Sequence, residues 1–386
     1  MDFSLPEELE MLRQSAADFA RAEIAPHAQE WDQQAAYPEE LIRKLGGQGF
    51  MGILIPEEYG GAGCGYAAFA VVLEELARHD GGVALAVEAH NGLCLQHIMV
   101  AANEEQKKRF VPPLARGEQI GSWCLTEPAS GSDAIAMETT AVRDGDHWVL
   151  NGTKQFITNG HRAGTFVVTA VTDPDSKPRG ITAFIVERGT PGFSTGKKEV
   201  KLGMRSSDTV QVYLENVRIP DDQRLGEVNK GFDDVRVVLE HGRVMISAVS
   251  MGFARGALEE ASRYSYERNA FGQPIRRFQA IQAKLADMAM NVEAGTLMLR
   301  HAAHLLDQGK CSIGKAAMTK LFITEMATRS CMDAIQILGG YGYLNEYNVE
   351  RYMRDAKLCE IGEGTSEVMR ILIAKHLDTA DQPLGA

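Results

Sequence analysis

Twice along this chain the hydrophobic period changes, and those two changes limit the fold more than any other feature. Up to about residue 120 the apolar residues recur three and four apart. Leu9, Leu12, Ala16 and Phe19 do so until Pro26, and segments 38–47 and 67–79 repeat the pattern. That spacing predicts amphipathic helices. Segment 83–102 carries almost no charge, which predicts a helix buried all round. Ser4 with Glu7, and Asn103 with Gln106, have capping-box spacing. Near Gly121 the period shortens. Runs at 139–143, 148–151, 165–172, 181–187 and 209–215 are short and β-branched, with turn signals at Asp144-Gly145 and Asn151-Gly152. After Pro220 the helical period returns. Phe278, Ile281, Leu285, Met288, Val292, Gly295, Leu299, Ala302 and Leu306 form the seam of a long bundle helix that Gly309 ends. The expected architecture is α+β and multidomain: an all-α domain over 1–120, a middle antiparallel β domain over 121–226, and a four-helix-bundle-like α domain over 227–386.

Composition narrows the function classes. With 386 residues, 45% of them hydrophobic, the chain has material for several cores. A formal charge of −12 argues against nucleic acid as a partner, while leaving room for a local basic patch that receives phosphates. No run of eighteen uncharged apolar residues occurs, and the acidic start MDFSLPEELEML lacks the basic stretch of a signal peptide. No membrane partner is expected, and the location expected is cytoplasmic in a bacterium or, in a eukaryote, the mature form of the mitochondrial matrix. The six cysteines form no Cys-x-x-Cys pair and no His stands at ligand spacing, so no metal is expected. No Gly-x-Gly-x-x-Gly opens a helix after a strand, which argues against a Rossmann dinucleotide site.

The candidate chemistry concentrates near the C-terminus. Glu363 stands between Gly362 and Gly364, where a ligand can approach the backbone closely on both sides. Thr365 or Ser366 then caps a helix carrying Val368, Met369, Ile371, Leu372 and Ile373. A carboxylate so placed is a candidate base, beside a helix end that stabilises anions.

Three stretches here, Gln336-Ile337-Leu338-Gly339-Gly340, Arg354-Asp355-Ala356-Lys357 and Glu363-Gly364-Thr365-Ser366-Glu367, resemble in order and spacing the C-terminal signature of the FAD-dependent acyl-CoA dehydrogenase family. Pro56-Glu57-Glu58-Tyr59-Gly60-Gly61, the run from Trp123 to Asp133, the run from Asn151 to Gly160 and the run from Tyr266 to Ile275 are similar to further family motifs, so the likeness covers nearly the whole chain.

The resemblance implies an oxidoreductase that turns an acyl-CoA thioester into the trans-2-enoyl-CoA. Glu363 takes the α-proton, FAD takes the β-hydride, and an electron-transferring flavoprotein receives the electrons. It places Trp123, Leu125, Thr126, Phe156, Thr158, Arg268, Phe271, Gln336, Gly339, Gly340, Thr365 and Glu367 on the cofactor, with the Gln336–Gly340 turn completing the Arg268 site from another subunit. Ser132, Glu240, Arg243 and Gly364 are placed on the substrate, and a homotetramer is implied. Phe156 stands where many members have Trp. Gly242 occupies the alternative position for the base, which leaves Glu363 alone in that role. Gly362 stands where straight-chain members carry Tyr, so a short, branched or cyclic acyl group is expected. Segment 81–98, which lines the pocket floor in the family, contains no Lys or Arg and offers only His90 to a distal carboxylate, which argues against a dicarboxylic acyl group. The alternatives are an acyl-CoA oxidase that uses oxygen and a non-redox CoA-binding protein on the same fold.

Overall fold

In the computed structural model, which describes residues 4–176 and 180–377, helix α1 (Glu7–Phe19) starts behind Pro6 and runs on through a π-helical turn, Ala20–Ile24. The expected Ser4–Glu7 capping box does not form. Pro6 occupies the cap position, and the first turn instead carries Glu7, Glu8 and Glu10 at the positive end of the helix. A short helix α2 (Ala28–Gln34) follows, which its polar sequence AQEWDQQ does not announce. Then come α3 (Glu39–Gly47), α4 (Tyr66–Ala77), α5 (Gly81–Glu88), α6 (Gln96–Ala101) and α7 (Glu104–Ala115). A π-helical turn, Ala89–Leu95, joins α5 to α6 into one buried rod over the uncharged stretch. The Asn103–Gln106 capping box closes in both directions at 2.9 Å.

The middle of the chain is an eight-stranded sheet: β1 (Gly121–Cys124), β2 (Thr140–Asp144), β3 (His147–Thr158), β4 (Thr165–Val171), β5 (Ile181–Glu187), β6 (Phe193–Thr195), β7 (Thr209–Pro220) and β8 (Arg224–Leu225). Its order is β6-β7-β3-β2-β4-β5-β8, with β1 beside β4. Pairing is antiparallel except between β1 and β4 and at Thr140 against Val171. Asp144-Gly145 makes the expected hairpin turn, with Gly145 at φ +64°. Asn151-Gly152 does not turn. It lies inside β3, where the register against β7 slips between Leu150 and Gly152, a bulge that Gly152 permits at φ +154°.

Among the described residues five α-helices follow: α8 (Gly231–Glu267), α9 (Gln279–Asp307), α10 (Ile313–Leu338), α11 (Asn348–Cys359) and α12 (Ser366–Leu377). Helix α8 is long and apolar enough to cross a membrane, but 72% of its apolar window is buried inside the protein, so it serves as the core rod of the bundle. The α9 seam is as read: Met288, Val292, Leu299, Ala302 and Leu306 are buried. A Cβ at Gly295 would lie 2.7 Å from Met251 Sδ and Met326 Cε, so glycine lets α9 approach both neighbours. Helix α4 packs on α8 and α9, and one hydrophobic core runs from Ala16 through Phe166 to Ala334.

Candidate active site

Glu363 lies in the turn between α11 and α12 with φ +56°, a left-handed conformation that costs a non-glycine residue energy and persists only where surroundings enforce it. The enforcing group is Lys320, a fully buried lysine on α10. Its Nζ donates to Cys359 O and to Gly364 O, both at 2.7 Å, and so clasps the turn before and after Glu363. Thr365 Oγ1 accepts from Val368 N–H at 3.3 Å and caps α12, as its sequence position predicts.

The turn itself is partly exposed, yet the Glu363 carboxylate points inward and its Oε2 is buried. It reaches the surface of α8 at Gly242, where any Cβ would overlap Oε2, and Leu93 Cδ2 would lie 3.0 Å from that Cβ. Gly242 is therefore the notch that admits the Glu363 carboxylate. Arg243, the next residue, is 9% exposed, and its Nε is buried without a hydrogen-bond partner. Its charge faces both Glu363 and Glu240. Burial pushes the Glu363 carboxyl up to about 7; the Lys320 charge, the neighbouring Glu88 carboxyl and the Arg243 charge hold it from rising further.

Glu88 was not anticipated. It ends α5, is fully buried, and neither carboxylate oxygen has a partner among the hydrogen bonds of the described residues, while its carboxyl lies within hydrogen-bonding reach of Glu363. Burial, then the neighbouring Glu363, raises its pKa well above the ordinary carboxylate range. The available signal was that Glu88 is the one acid in the uncharged 83–102 stretch. Lys320 was missed too, since a lysine in an apolar helical pattern reads as a surface cation. His90 is bound into the fold, with Nε2 at 3.0 Å from Met51 O and Nδ1 accepting from Gly121 N–H at 2.8 Å. Burial lowers its pKa to about 4, so it is a neutral strut.

The cofactor motifs converge from the sheet. Thr126 O accepts from Gln155 N–H at 2.8 Å and Thr158 O from Ser122 Oγ at 2.6 Å, which places the Leu125-Thr126 and Phe156–Thr158 stretches side by side. Phe156 is 65% exposed at φ +59°; Phe271 is 95% exposed at φ +50° and touches Phe278 edge-on at 6.0 Å. Two uncovered aromatic faces on left-handed backbone suit a planar ring system such as a flavin or an adenine. Trp123 gives its indole N–H to His97 Nδ1 at 2.9 Å, which leaves its ring and not that donor to offer a ligand. Trp123 also packs with Leu93, and Leu93 lies against Gly242, which links the sheet motif to the base.

Arg268 stacks over Tyr341 at 5.7 Å and shares a cavity of about 570 Å³ with Gly339 and Gly340. Within the chain, Arg268 and the Gly339-Gly340 turn thus line one cavity. Gln336 is exposed and lies outside that lining; Ser132 and Glu367 are exposed, and Glu240 is half-buried. The Gly364 carbonyl is engaged by Lys320. A larger cavity, about 780 Å³ and lined by residues of α1, α4 and α9, includes none of the expected site residues. Among the described residues no group of three His, Cys, Asp or Glu side chains is gathered to hold a metal.

Comparison with known proteins agrees with this geometry. The sequence profiles of the acyl-CoA dehydrogenase N-terminal, middle and C-terminal domains match residues 6–118, 122–217 and 229–377. The human mitochondrial short-chain specific acyl-CoA dehydrogenase is 45% identical over 97% of this chain and 90% of its own length. The butyryl-CoA dehydrogenase of Megasphaera elsdenii superimposes with a TM-score of 0.96 at 40% identity, covering 98% of this chain and 100% of that one. A chain in a structure describing the electron-transferring flavoprotein of Acidaminococcus fermentans and flavin-based electron bifurcation gives 0.96 at 44% identity, covering 98% and 99%. With its three domains matched in order, the chain belongs to the acyl-CoA dehydrogenase family and is an FAD-dependent oxidoreductase acting on acyl-CoA.

Proposed function

We propose that the enzyme dehydrogenates a short acyl-CoA across its α and β carbons, with Glu363 as the base, and passes the electrons to an electron-transferring flavoprotein. The observation that carries the assignment is the Glu363 carboxylate itself: turned inward over the Gly242 notch, held by Lys320, and pushed by burial to about 7. A carboxylate whose pKa is raised in this way is a stronger base for a weakly acidic α-proton than an ordinary one. The Glu363 N–H is the donor offered to the thioester carbonyl as charge develops there. Arg243, with a free buried Nε, steadies the carboxylate and the anionic end of the ligand.

Leu125, Thr126, Phe156 and Thr158 would hold the ring system of FAD, while Arg268, Phe271, Gly339 and Gly340 hold its diphosphate and adenine end. Trp123, Gln336, Thr365 and Glu367 complete that assignment, and Ser132, Glu240 and Gly364 that of the CoA thioester. Bound FAD supplies the hydride acceptor. The matched chain from the Acidaminococcus flavoprotein study supports the acceptor; the human short-chain enzyme and the butyryl-CoA dehydrogenase support a short acyl group. Segment 81–98 holds the buried Glu88 and a neutral His90 and contains no Lys or Arg, which speaks against a distal carboxylate on the substrate.

Replacing Glu363 by Gln keeps the shape of the turn and removes the base. Turnover should fall at least ~10²-fold with the flavin content unchanged. In the wild-type enzyme kcat/KM should rise as pH climbs through about 7, because the base works only when ionised. Near wild-type turnover in the Gln variant would sink the assignment.

A further inference from the structure

The carboxyl of Glu88 does no work in the reaction as just described. It is fully buried at the end of α5, where the helix widens into the π-helical turn Ala89–Leu95, a local form often found at functional sites. A Cβ on Gly92 would lie 2.7 Å from Glu88 Oε1, so the glycine one turn on leaves room for the carboxyl. Both of its oxygens, and Oε2 of Glu363, are buried without a donor among the described residues. Three buried carboxylate oxygens without donors would be costly if both groups were ionised, but one proton placed between the two carboxyls supplies the missing donor. We propose that Glu88 is a positioning residue for the base, that it remains a carboxylic acid in the working enzyme and donates its proton to Glu363, and that the two side chains hold one proton between them. This rests on Glu363 being the base.

The charges around the pair favour that state. From α8 come Arg243 and, beyond it, Glu240 and the neutral His241; from α10 comes the Lys320 ammonium; from α11 come the Cys359 thiol and Glu360. Two nearby cations stabilise one anion, and among the described residues no further cation acts on Glu88 to stabilise a second. The hydrogen bond then does two things. It fixes the orientation of the Glu363 carboxylate, and it withdraws some of its proton affinity, so that burial does not leave the base protonated at neutral pH. In each turnover Glu363 gains the α-proton, the pair passes from one proton to two, and one returns to solvent before the next cycle.

The test compares Glu88→Gln and Glu88→Leu holoenzymes with wild type. Glutamine cannot ionise but still offers an N–H donor, so the acid limb of the kcat/KM profile should stay close to that of wild type. Leucine removes the donor and should move that limb up by about 1 to 2 pH units, the scale of a charge-assisted hydrogen bond. Infrared difference spectra of wild type minus Glu88→Gln, recorded without substrate at pH 8, should contain a carboxylic acid C=O band from Glu88. The subtraction removes Asp355, whose carboxyl burial also lifts to about 7. The proposal is overturned if the acid limb of the Leu variant does not move, if the Gln variant loses turnover as fully as Glu363→Gln does, or if the band is absent. The infrared result depends on neither folding of the Leu variant nor the identity of the base, so failure of this proposal is distinguishable from failure of the Glu363 assignment.

Discussion

At the scale of single residues, three glycines shape the space in which Glu363 works. Gly242 lets the carboxylate lie on α8, Gly364 at φ +104° turns the chain away beneath it, and Gly362 leaves space beside it. A Cβ built on Gly362 meets only Leu358 O at 3.6 Å, and its φ is outside the left-handed region, so a side chain is compatible with the backbone there. Leu93 lies against Gly242 and is not among the atoms within 4 Å of that Cβ. Gly362→Tyr should therefore fold and should lower kcat/KM for a branched or cyclic acyl-CoA much more than for butyryl-CoA, because overpacking penalises only the ligand that occupies the space. Steady-state kinetics on both substrates checks it; equal losses would mean that Gly362 serves the backbone alone.

Among the elements, α10 positions the catalytic turn, although its sequence shows only a helix. Lys320 is drawn into the interior because the carbonyls of Cys359 and Gly364 converge on it and Glu363 partly balances its charge. Burial lowers its pKa, and Glu363 then raises it back in part. Lys320→Met fills similar space but leaves two buried carbonyls without donors, at a cost of about 1–3 kcal/mol each if nothing else reaches them. The left-handed turn at Glu363 then loses its clasp. We expect a melting temperature several degrees lower and a fall in kcat greater than the rise in KM, read by calorimetry and steady-state kinetics. A variant with a lowered melting temperature and unchanged kcat would make Lys320 a purely structural residue.

For the whole molecule, the bundle helices leave large apolar side chains in solvent: Met290 on α9, Met332 on α10 and Ile371 on α12 are 64%, 59% and 54% exposed. Phe271 and Tyr343, near the Arg268 cavity, are exposed at 95% and 86%. Subunit association would cover such side chains, as expected for a homotetramer. Sedimentation should show a species four times the 42.2 kDa chain mass. Met290→Glu together with Met332→Glu should shift it toward smaller species while the helical circular dichroism is retained. A monomer in the unsubstituted protein would refute the assembly.

Local sequence alone determined the order of helices, strands and helices, the α9 seam, the Asn103–Gln106 box and the position of Glu363, because each depends on neighbours a few residues apart. Where it failed locally, a different neighbour won: Pro6 displaced the Ser4 cap, and the bulge that β7 imposes on β3 took Asn151-Gly152 out of a turn. Helix α2 has no apolar rhythm to reveal it. Only the tertiary structure decided what surrounds Glu363. Glu88, Gly242 and Lys320 lie far apart in sequence, on three different helices, and nothing in their own segments says that they meet at Glu363. Whether a buried carboxyl is a base, a proton donor or a strut is set by which charges and carbonyls packing brings within a few ångströms of it, and no periodicity along the chain encodes those contacts.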